Sequence, residues 1–232
     1  MSKDKDIKLY FSRAEIIIFL ISISLIIASF FIFEGTDYLS LLASILGVIC
    51  LIFCAKGNPI GQMLVIIFGL IYAYISFGFS YYGEMLTYGC MTVPMAILSL
   101  ISWLRNPYKG NHSEVEVSSV SAKEIPIIAV LTIAVTAVMF YLLKTFGTAN
   151  LIPSTISVFT SFIAVYLTFR RSPLFALAYA VNDVVLVVLW VLASFENSSY
   201  VAVATCFAVF LLNDIYGFVN WRRIQKRQTD QS

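Results

Sequence analysis

The side chains most able to do chemistry are two Asn-Asp pairs that lie inside long apolar stretches. Asn182 and Asp183 fall near the middle of one stretch, and Asn213 and Asp214 lie just past the middle of another. Amides and carboxylates at that depth are costly when they face lipid, so they should face the protein interior. There they either line a pathway for a polar solute or join neighbouring helices by hydrogen bonds. Two such pairs in one part of the chain favour a polar cavity.

Helical spacing adds aromatic groups to each pair. Asp183 and Trp190 are seven residues apart, nearly on one helix face, and Tyr179 lies one turn before Asp183. In the other stretch, Asn213 and Tyr216 are spaced i and i+3. Aromatic faces combined with hydrogen-bonding amides suit a flat heterocycle that carries an amide and a ribose.

An earlier part of the chain offers further polar groups to such a site. Gln62 and Tyr88 are predicted ligand contacts, whereas Glu84 is expected to be a solvated charge near the membrane surface. Pro94 lies in the same stretch as Tyr88, where it removes a helix hydrogen bond and is a candidate hinge. The predicted substrate-binding residues are Gln62, Tyr88, Tyr179, Asn182, Asp183, Trp190, Asn213 and Tyr216.

Other chemistries lack the residues that they need. The single histidine, His112, lies in a polar loop, which argues against a serine hydrolase or a metalloprotease within the membrane. Cys50 and Cys54 are one helical turn apart, but no His or second Cys pair accompanies them, so they are expected to pack rather than to bind metal. An aspartyl enzyme built on Asp183 and Asp214 is the alternative, provided that the two carboxyls meet and share a proton. We expect no enzyme activity, no catalytic residue, no metal and no cofactor.

Composition places these residues in a membrane protein. Of the 232 residues, 60% are hydrophobic and 12% are charged, whereas a soluble domain has about 25% charged residues. Eight apolar stretches are each long enough to cross a hydrocarbon core of about 30 Å as a helix. They cover residues 14–33, 37–55, 60–78, 83–104, 126–146, 151–169, 173–194 and 200–221. The predicted fold class is therefore all-α, a polytopic membrane protein with eight transmembrane helices.

The basic residues predict the orientation of these helices. If the N-terminus is cytoplasmic, 14 of the 15 Lys and Arg residues fall on the cytoplasmic side, and Lys144 is the exception. Such a bias is typical of multi-pass membrane proteins, so both termini are expected in the cytoplasm. The cationic residues are spread over separate loops without interleaved aromatics, which argues against a nucleic-acid partner.

A block of three apolar stretches occurs twice. Pro59 opens the second stretch of one block and Trp103 closes its third, 44 residues later, while Pro173 and Trp221 are 48 residues apart in the other block. One stretch joins the blocks and makes them parallel, with a substrate cavity expected between them. The predicted units are a cytoplasmic N-terminus with a leader helix, the first triple-helix repeat, a cytoplasmic loop with a linker helix, the second triple-helix repeat and a cytoplasmic tail, at residues 1–35, 37–106, 107–149, 150–224 and 225–232.

Four short segments follow one another in a characteristic order along this region. They are Gly57-Asn-Pro-Ile-Gly61, Ile101-Ser-Trp-Leu-Arg105, Ala180-Val-Asn-Asp-Val184 and Ile215-Tyr-Gly-Phe-Val-Asn-Trp-Arg-Arg223. In order and spacing they resemble the PnuC family of bacterial vitamin transporters, over residues 37–223. The resemblance implies a SWEET-like fold, in which three helices, one linker helix and three further helices follow a leader helix.

The resemblance also implies a function. The expected substrate is a nicotinamide nucleoside, with nicotinamide riboside the leading candidate and thiamine or riboflavin, which related members carry, as alternatives. Transport would be facilitated diffusion by alternating access across the bacterial cell membrane, with phosphorylation by a cytoplasmic kinase trapping the substrate. The sequence has no P-loop, so ATP drive would need another subunit. The lipid bilayer is the expected surrounding. Whether the protein forms a homo-oligomer stays an open question.

Overall fold

Eight membrane-length helical spans make up most of the structure, a computed structural model that describes residues 10–33, 37–78, 81–148 and 150–231. The helices are Arg13–Phe33 (α1), Tyr38–Ala55 (α2), Ile60–Gly78 (α3), Tyr82–Leu86 (α4), Val93–Arg105 (α5), Ile125–Thr145 (α6), Leu151–Phe169 (α7), Leu174–Ser194 (α8) and Tyr200–Asp230 (α9). The predicted N-terminal segment before Tyr10 lies outside the described residues.

The lipid environment explains why these segments are helical. A bilayer core offers no water to backbone N–H and C=O groups, and an α-helix satisfies them within one segment. Each of the eight predicted stretches corresponds to one helical span that is apolar and long enough to cross a membrane. Large apolar side chains on α1 and α6 face outward toward the expected lipid, whereas α7, α8 and α9 are the most buried spans.

The fourth span changes helix type just before Pro94. Proline has no N–H group to bond the carbonyl one turn back. The preceding residues, Thr87–Thr92, are wound as a π-helix, and the Val93 N–H bonds the Tyr88 carbonyl. The sequence therefore located the interruption, although movement about Pro94 stays a prediction. A π-helical turn in a helix frequently marks a functional site.

The turns that open α3 and α8 share one backbone conformation. Gly57 and Arg171, each two residues before a proline, have positive φ angles of 67° and 57°. Their carbonyls accept hydrogen bonds from the same extended segment: Val115 N–H bonds Gly57 at 2.9 Å, and Ser118 N–H bonds Arg171 at 3.0 Å. One segment of chain therefore connects both turns at one end of the bundle.

A small hairpin caps this end, which we call the hairpin end. Pro107–Tyr108 (β1) and Asn111–Val115 (β2) pair antiparallel. The Gln228 side chain of α9 accepts a hydrogen bond from Val117 N–H at 2.8 Å and donates one to the Val115 carbonyl at 3.1 Å. The segment predicted to be a polar loop is thus folded against the bundle, because its valines give it an apolar side that packs on the core.

The last helix is longer than the sequence indicated. Residues 225–230, assigned to a cytoplasmic tail, continue α9 up to Asp230. These extra turns carry Gln228 and also Arg227, which forms an ion pair with Glu114 of the hairpin. Trp221 and the basic residues after it were taken as the end of the helix, but the helix continues beyond them to contact the hairpin.

Two tryptophans, one in α5 and one in α9, join helices at the hairpin end by hydrogen bonds. The Trp103 indole of α5 donates to the Thr168 carbonyl of α7 at 2.9 Å. The Trp221 indole of α9 donates to the Cys54 carbonyl of α2 at 2.8 Å. Both rings are fully buried, with centroids 5.5 Å apart. Thr168 and Cys54 each lie five residues before the proline of the next helix, so the two bonds are reciprocal.

The leader helix α1 is joined to the bundle by buried polar contacts. It packs on α2 and α9. Near the hairpin end, the Lys56 ammonium lies 3.0 Å from the buried carboxylate of Glu15. Deeper in the membrane, the Asn213 amide donates to the Ser22 hydroxyl at 2.9 Å. The leader helix, which lies outside the predicted repeats, is therefore part of the packed structure.

Gly61 allows α2 and α3 to approach closely. A Cβ atom at this position would lie 2.7 Å from both the backbone nitrogen and the sulfur of Cys54. A Cβ atom at Gly78, near the other end of α3, would meet no described atom within 4 Å. Gly61 and Gly78 of one helix therefore differ in the space around them.

We expect Gly61→Ala to lower the melting temperature of the detergent-solubilised protein more than Gly78→Ala does. Overpacking against a fixed backbone costs about 1–3 kcal/mol, whereas the added methyl group at Gly78 meets open space. Thermal unfolding of both variants beside the parent protein measures the difference. Equal melting temperatures for the two variants would contradict the close approach of α2 and α3.

Candidate functional site

A polar cavity lies inside the bundle, between its middle and the hairpin end. It has a volume of about 80 Å³ and is surrounded by α2, α3, the π-helical segment, α7, α8 and α9. The polar and aromatic side chains that line it include Gln62, Tyr88, Tyr179, Asn182, Asp183 and Asp214. The cavity therefore brings together five of the eight predicted substrate-binding residues, and their contact with a ligand stays a prediction.

The Asn182 amide is held in a defined orientation by α7. Its oxygen accepts hydrogen bonds from the hydroxyls of Thr160 at 2.8 Å, Ser161 at 2.9 Å and Ser157 at 3.5 Å. These hydroxyls lie on one face of α7, at spacings that follow the helical turn. Because the oxygen is occupied, the NH₂ group of Asn182 is the donor that α8 offers to the cavity.

Asp183 and Asp214 meet across the cavity. Their side chains are buried and hydrogen-bonded to each other. A hydrogen bond between two carboxyl groups requires a proton on one of them, so a pair with one proton carries a single negative charge. The Oδ2 atom of Asp183 has no hydrogen-bond partner among the described residues. It is an acceptor that a ligand can use.

Aromatic rings and an amide complete the lining. Tyr88, at the π-helical segment, lies against Tyr72 with a centroid separation of 4.5 Å. Tyr179 lies one turn before Asp183 on α8 and faces the same cavity. The Gln62 amide of α3 donates a long hydrogen bond of 3.4 Å to the Cys54 sulfur. Since sulfur is a weak acceptor, the Gln62 amide can readily exchange this bond for one to a stronger acceptor.

The electrostatic character of the cavity follows from this lining. The described residues that form its wall include two carboxyl groups and no Lys, Arg or His. No group of three or more His, Cys, Asp or Glu residues that suits a metal ion occurs in the described part of the chain. The site thus offers carboxyl oxygens, amides and phenol rings to an organic ligand.

Three predicted site residues lie elsewhere. Trp190 is in a second cavity nearer the opposite end of the bundle. The Asn213 amide bonds Ser22 of α1, as described, and Tyr216 bonds side chains at the start of α1, Ser12 and Glu15. The predicted stripe of α9 therefore faces α1 rather than the cavity.

The geometry of the helical turn explains why Asn213 does not face the cavity as predicted. Asn213 and Asp214 are about 100° apart around α9, so they point to different neighbours. The sequence pattern predicted Asn213 at the cavity, whereas the structure places Asp214 there. The Asn-Asp pattern marked the position, but the choice between the two residues depends on the packing of α1, which the spacing does not reveal. The α7 hydroxyls that orient Asn182 were missed, because serine and threonine are common in membrane helices.

Glu84 also differs from expectation. It was predicted to be a solvated charge, but its side chain is 4% exposed and its Oε2 atom has no partner among the described residues. It lies close enough to Tyr72 and Tyr88 to act on both electrostatically. The position of Glu84 near the end of a span suggested that its side chain faces solvent. In the structure, α4 packs against the end of α6, and this contact covers that end of the span.

Comparison with known proteins identifies the chain's relatives. Residues 37–223 match the model of the nicotinamide mononucleotide transporter family. The chain belongs to this family. It is 26% identical over 206 residues to the nicotinamide riboside transporter PnuC of Neisseria mucosa, a match that spans 87% of this chain and 78% of the relative. It is 25% identical over 191 residues to the PnuC of Haemophilus influenzae, with 82% of each chain covered.

The fold of this family member is also found in a solved structure. A crystal structure of the vitamin B3 transporter PnuC superposes with a TM-score of 0.81, at 22% identity, and 94% of both chains is covered. The predicted PnuC resemblance and the all-α fold with eight membrane-spanning helices are therefore confirmed. The SWEET-like description and the division into repeats stay predictions.

The family assignment also decides between transporter and enzyme. Asp183 and Asp214 do meet, which was the condition for an aspartyl enzyme. The relatives and the structural neighbour are transporters and not enzymes, so the protein is a multi-pass membrane transporter. The carboxyl pair belongs to the lining of its cavity.

We expect Asp214→Ala to destabilise the protein more than Asp214→Asn. Alanine removes the partner of the buried Asp183 carboxyl, and orphaning a buried polar group costs about 1–3 kcal/mol, whereas asparagine still offers a hydrogen bond. The melting temperatures of both purified variants in detergent measure this. If the two variants melt at the same temperature, the carboxyl groups do not bond each other.

Proposed function

We propose that this protein carries nicotinamide riboside across the bacterial cell membrane by facilitated diffusion. Its family membership and the names of both curated relatives support a nicotinamide nucleoside as the substrate. The observation that favours nicotinamide riboside as the substrate is the Asp183-Asp214 pair. The pair lies beside the Asn182 amide in a cavity lined by aromatic rings.

The chemistry of the ligand matches that of the cavity. Nicotinamide riboside has a positively charged pyridinium ring, a carboxamide and ribose hydroxyls. A singly protonated carboxyl pair compensates the ring charge, and the ring faces of Tyr88 and Tyr179 attract a cation as well. The Asn182 NH₂ group is a donor for the carboxamide oxygen. The Oδ2 atom of Asp183, which has no partner among the described residues, accepts from a ribose hydroxyl.

The same charges favour the riboside over the mononucleotide. A phosphate group adds negative charge, and phosphate sites in proteins usually supply Arg, Lys or a helix N-terminus. The described lining has two carboxyls and no cationic side chain. A phosphorylated ligand would therefore meet like charge with nothing to compensate it.

Thiamine is the second candidate substrate. It also carries a ring cation, so the carboxyl pair suits it as well. Riboflavin has no positive charge, so the negative charge of the carboxyl pair does not favour its binding. The binding experiment below therefore includes all three vitamins.

Transport requires that the cavity open to one side of the membrane at a time. The hairpin end is closed by Trp103, Trp221 and the segment 115–118, while the opposite end is closed by aromatic rings. The two blocks of three helices, residues 37–106 and 150–224, are the bodies whose relative movement would alternate access. No gradient or nucleotide drives this cycle. A cytoplasmic kinase that phosphorylates the nucleoside would keep its internal concentration low.

The hairpin end is assigned to the cytoplasm. It carries Lys56, Arg105, Arg170 and Arg222 together with their basic neighbours, whereas Lys144 lies at the opposite end. Positive charge of this kind is retained on the cytoplasmic side of bacterial membranes. Because the number of spans is even, both termini lie on that side.

We expect Asp183→Asn to weaken nicotinamide riboside binding by about tenfold or more, since hydrogen bonds to a charged group contribute about 1.5–3 kcal/mol. Asn182→Ala should weaken it about five- to tenfold, as expected for loss of one hydrogen bond between neutral groups. Isothermal titration of the purified protein with nicotinamide riboside, nicotinamide mononucleotide, thiamine and riboflavin measures this. Val184→Ala, which changes an outward-facing side chain of the same helix that is 49% exposed, is the matched control. The parent protein should bind the riboside most tightly.

Two results would overturn the proposal. The first is tightest binding of riboflavin or of the mononucleotide, because either would contradict the charge argument. The second is accumulation of radiolabelled nicotinamide riboside in proteoliposomes above the external concentration when a pH gradient is imposed. Facilitated diffusion predicts that uptake stops when the two concentrations are equal, with or without the gradient.

A further inference from the structure

A second cavity lies on the far side of the polar cavity, toward the end opposite the hairpin. It has a volume of about 50 Å³ and is bordered by α1, α2, α3, the start of α4, α8 and α9. Both cavities touch Phe68, Phe207 and Phe210. These three rings, which we call the aromatic wall, separate the two spaces.

Three aromatic rings form the outer part of the second cavity. The centroids of Tyr81, Trp190 and Tyr200 are 4.9, 5.3 and 5.4 Å apart in the three pairwise combinations. They come from three separate places, the loop before α4, the end of α8 and the start of α9. Such a cluster offers ring faces to a flat, positively charged ligand. Glu196, which is exposed beside it, acts electrostatically on Tyr81 and adds negative charge at the mouth.

The indole N–H of Trp190 is a donor without an acceptor in the part of the chain that the structure describes. Its side chain is 4% exposed, and Nε1 has no hydrogen-bond partner among the described residues. The other two tryptophans, Trp103 and Trp221, each bond a carbonyl. A buried polar group is normally bonded, and an exception calls for an explanation. The second cavity supplies one, because a ligand inside it can provide the acceptor.

The aromatic wall explains why two sites would be used in sequence. The ring centroids of Phe68 and Phe210 are 6.0 Å apart, and those of Phe207 and Phe210 are 5.7 Å apart. Rings this close leave no passage for a pyridinium ring. A ligand that enters from the end opposite the hairpin must therefore wait in the second cavity until the wall moves.

We propose that the second cavity is an entry site for a planar cationic heteroaromatic carboxamide, whose amide oxygen accepts a hydrogen bond from the Trp190 indole. The proposal rests on the transport function proposed above, because it concerns the same cargo before it reaches the carboxyl pair. The ring binds against the side of the Tyr81, Trp190 and Tyr200 cluster that faces the cavity, and the cargo passes inward when the aromatic wall opens.

The direct test uses 1-methylnicotinamide, which keeps the pyridinium ring and the carboxamide but lacks the ribose. The protein is the Asn182→Ala, Asp183→Asn double variant, in which the polar cavity is disabled. We expect saturable quenching of tryptophan fluorescence, since a pyridinium ring quenches indole on contact and the other two tryptophans are fully buried at the hairpin end. N-methylpyridinium, which has no amide, should bind about five- to tenfold more weakly, as expected for loss of one hydrogen bond.

Uptake kinetics provide a second arm that does not depend on the double variant. Trp190→Phe keeps the ring but removes the donor, so the half-saturation concentration for nicotinamide riboside uptake into proteoliposomes should rise about five- to tenfold with an unchanged maximal rate. Val188→Ala, an outward-facing change on the same helix that is 51% exposed, should leave both values unchanged.

The outcomes separate this proposal from the proposed function. Absence of saturable quenching in the double variant, or equal affinity for the two pyridinium probes, overturns the entry site. Unchanged uptake kinetics in Trp190→Phe overturn it as well. If the parent protein fails to transport nicotinamide riboside while the quenching and its amide dependence persist, the proposed substrate fails and the entry site stands.

Discussion

Two indole hydrogen bonds fix how the halves of this transporter meet. Trp103 of α5 bonds the end of α7 and Trp221 of α9 bonds the end of α2, so helices before the hairpin are joined to helices after it at equivalent positions. In a low-dielectric interior an unpaired carbonyl is expensive, which makes these bonds hard to give up. They close the hairpin end, and they leave the middle of the bundle free to hold a cavity.

Most polar groups of that cavity come from the last two helices. α8 and α9 supply Asn182, Asp183 and Asp214, whereas α3 and the π-helical segment supply Gln62 and the aromatic rings of Phe68 and Tyr88. Asn182 is held by hydroxyls of α7, so its orientation is established before a ligand arrives. The carboxyl pair gives the site its charge, and the aromatic wall separates it from the second cavity. The polar lining of the cavity and the rings that close it are therefore different residues of one bundle.

The sequence was informative wherever the membrane imposed one solution. Eight apolar stretches had to be helices because lipid leaves backbone groups no other partner, and Pro94 marked the helix interruption because proline lacks an N–H group. The sequence was less informative at the edges of the bundle. Glu84 and the segment around Val115 were expected to face water, but contacts with distant parts of the chain bury them.

The sequence by itself determined the number of spans, the family and the depth at which polar chemistry occurs. Apolar length, charge bias and the two Asn-Asp pairs carry that information locally. The tertiary structure decided which member of the second pair faces the cavity and which tryptophan has no hydrogen-bond partner among the described residues. Asp214 faces the cavity and Asn213 faces α1, because α1 packs on one face of α9. That contact joins residues 191 positions apart in the chain, and no local pattern specifies it.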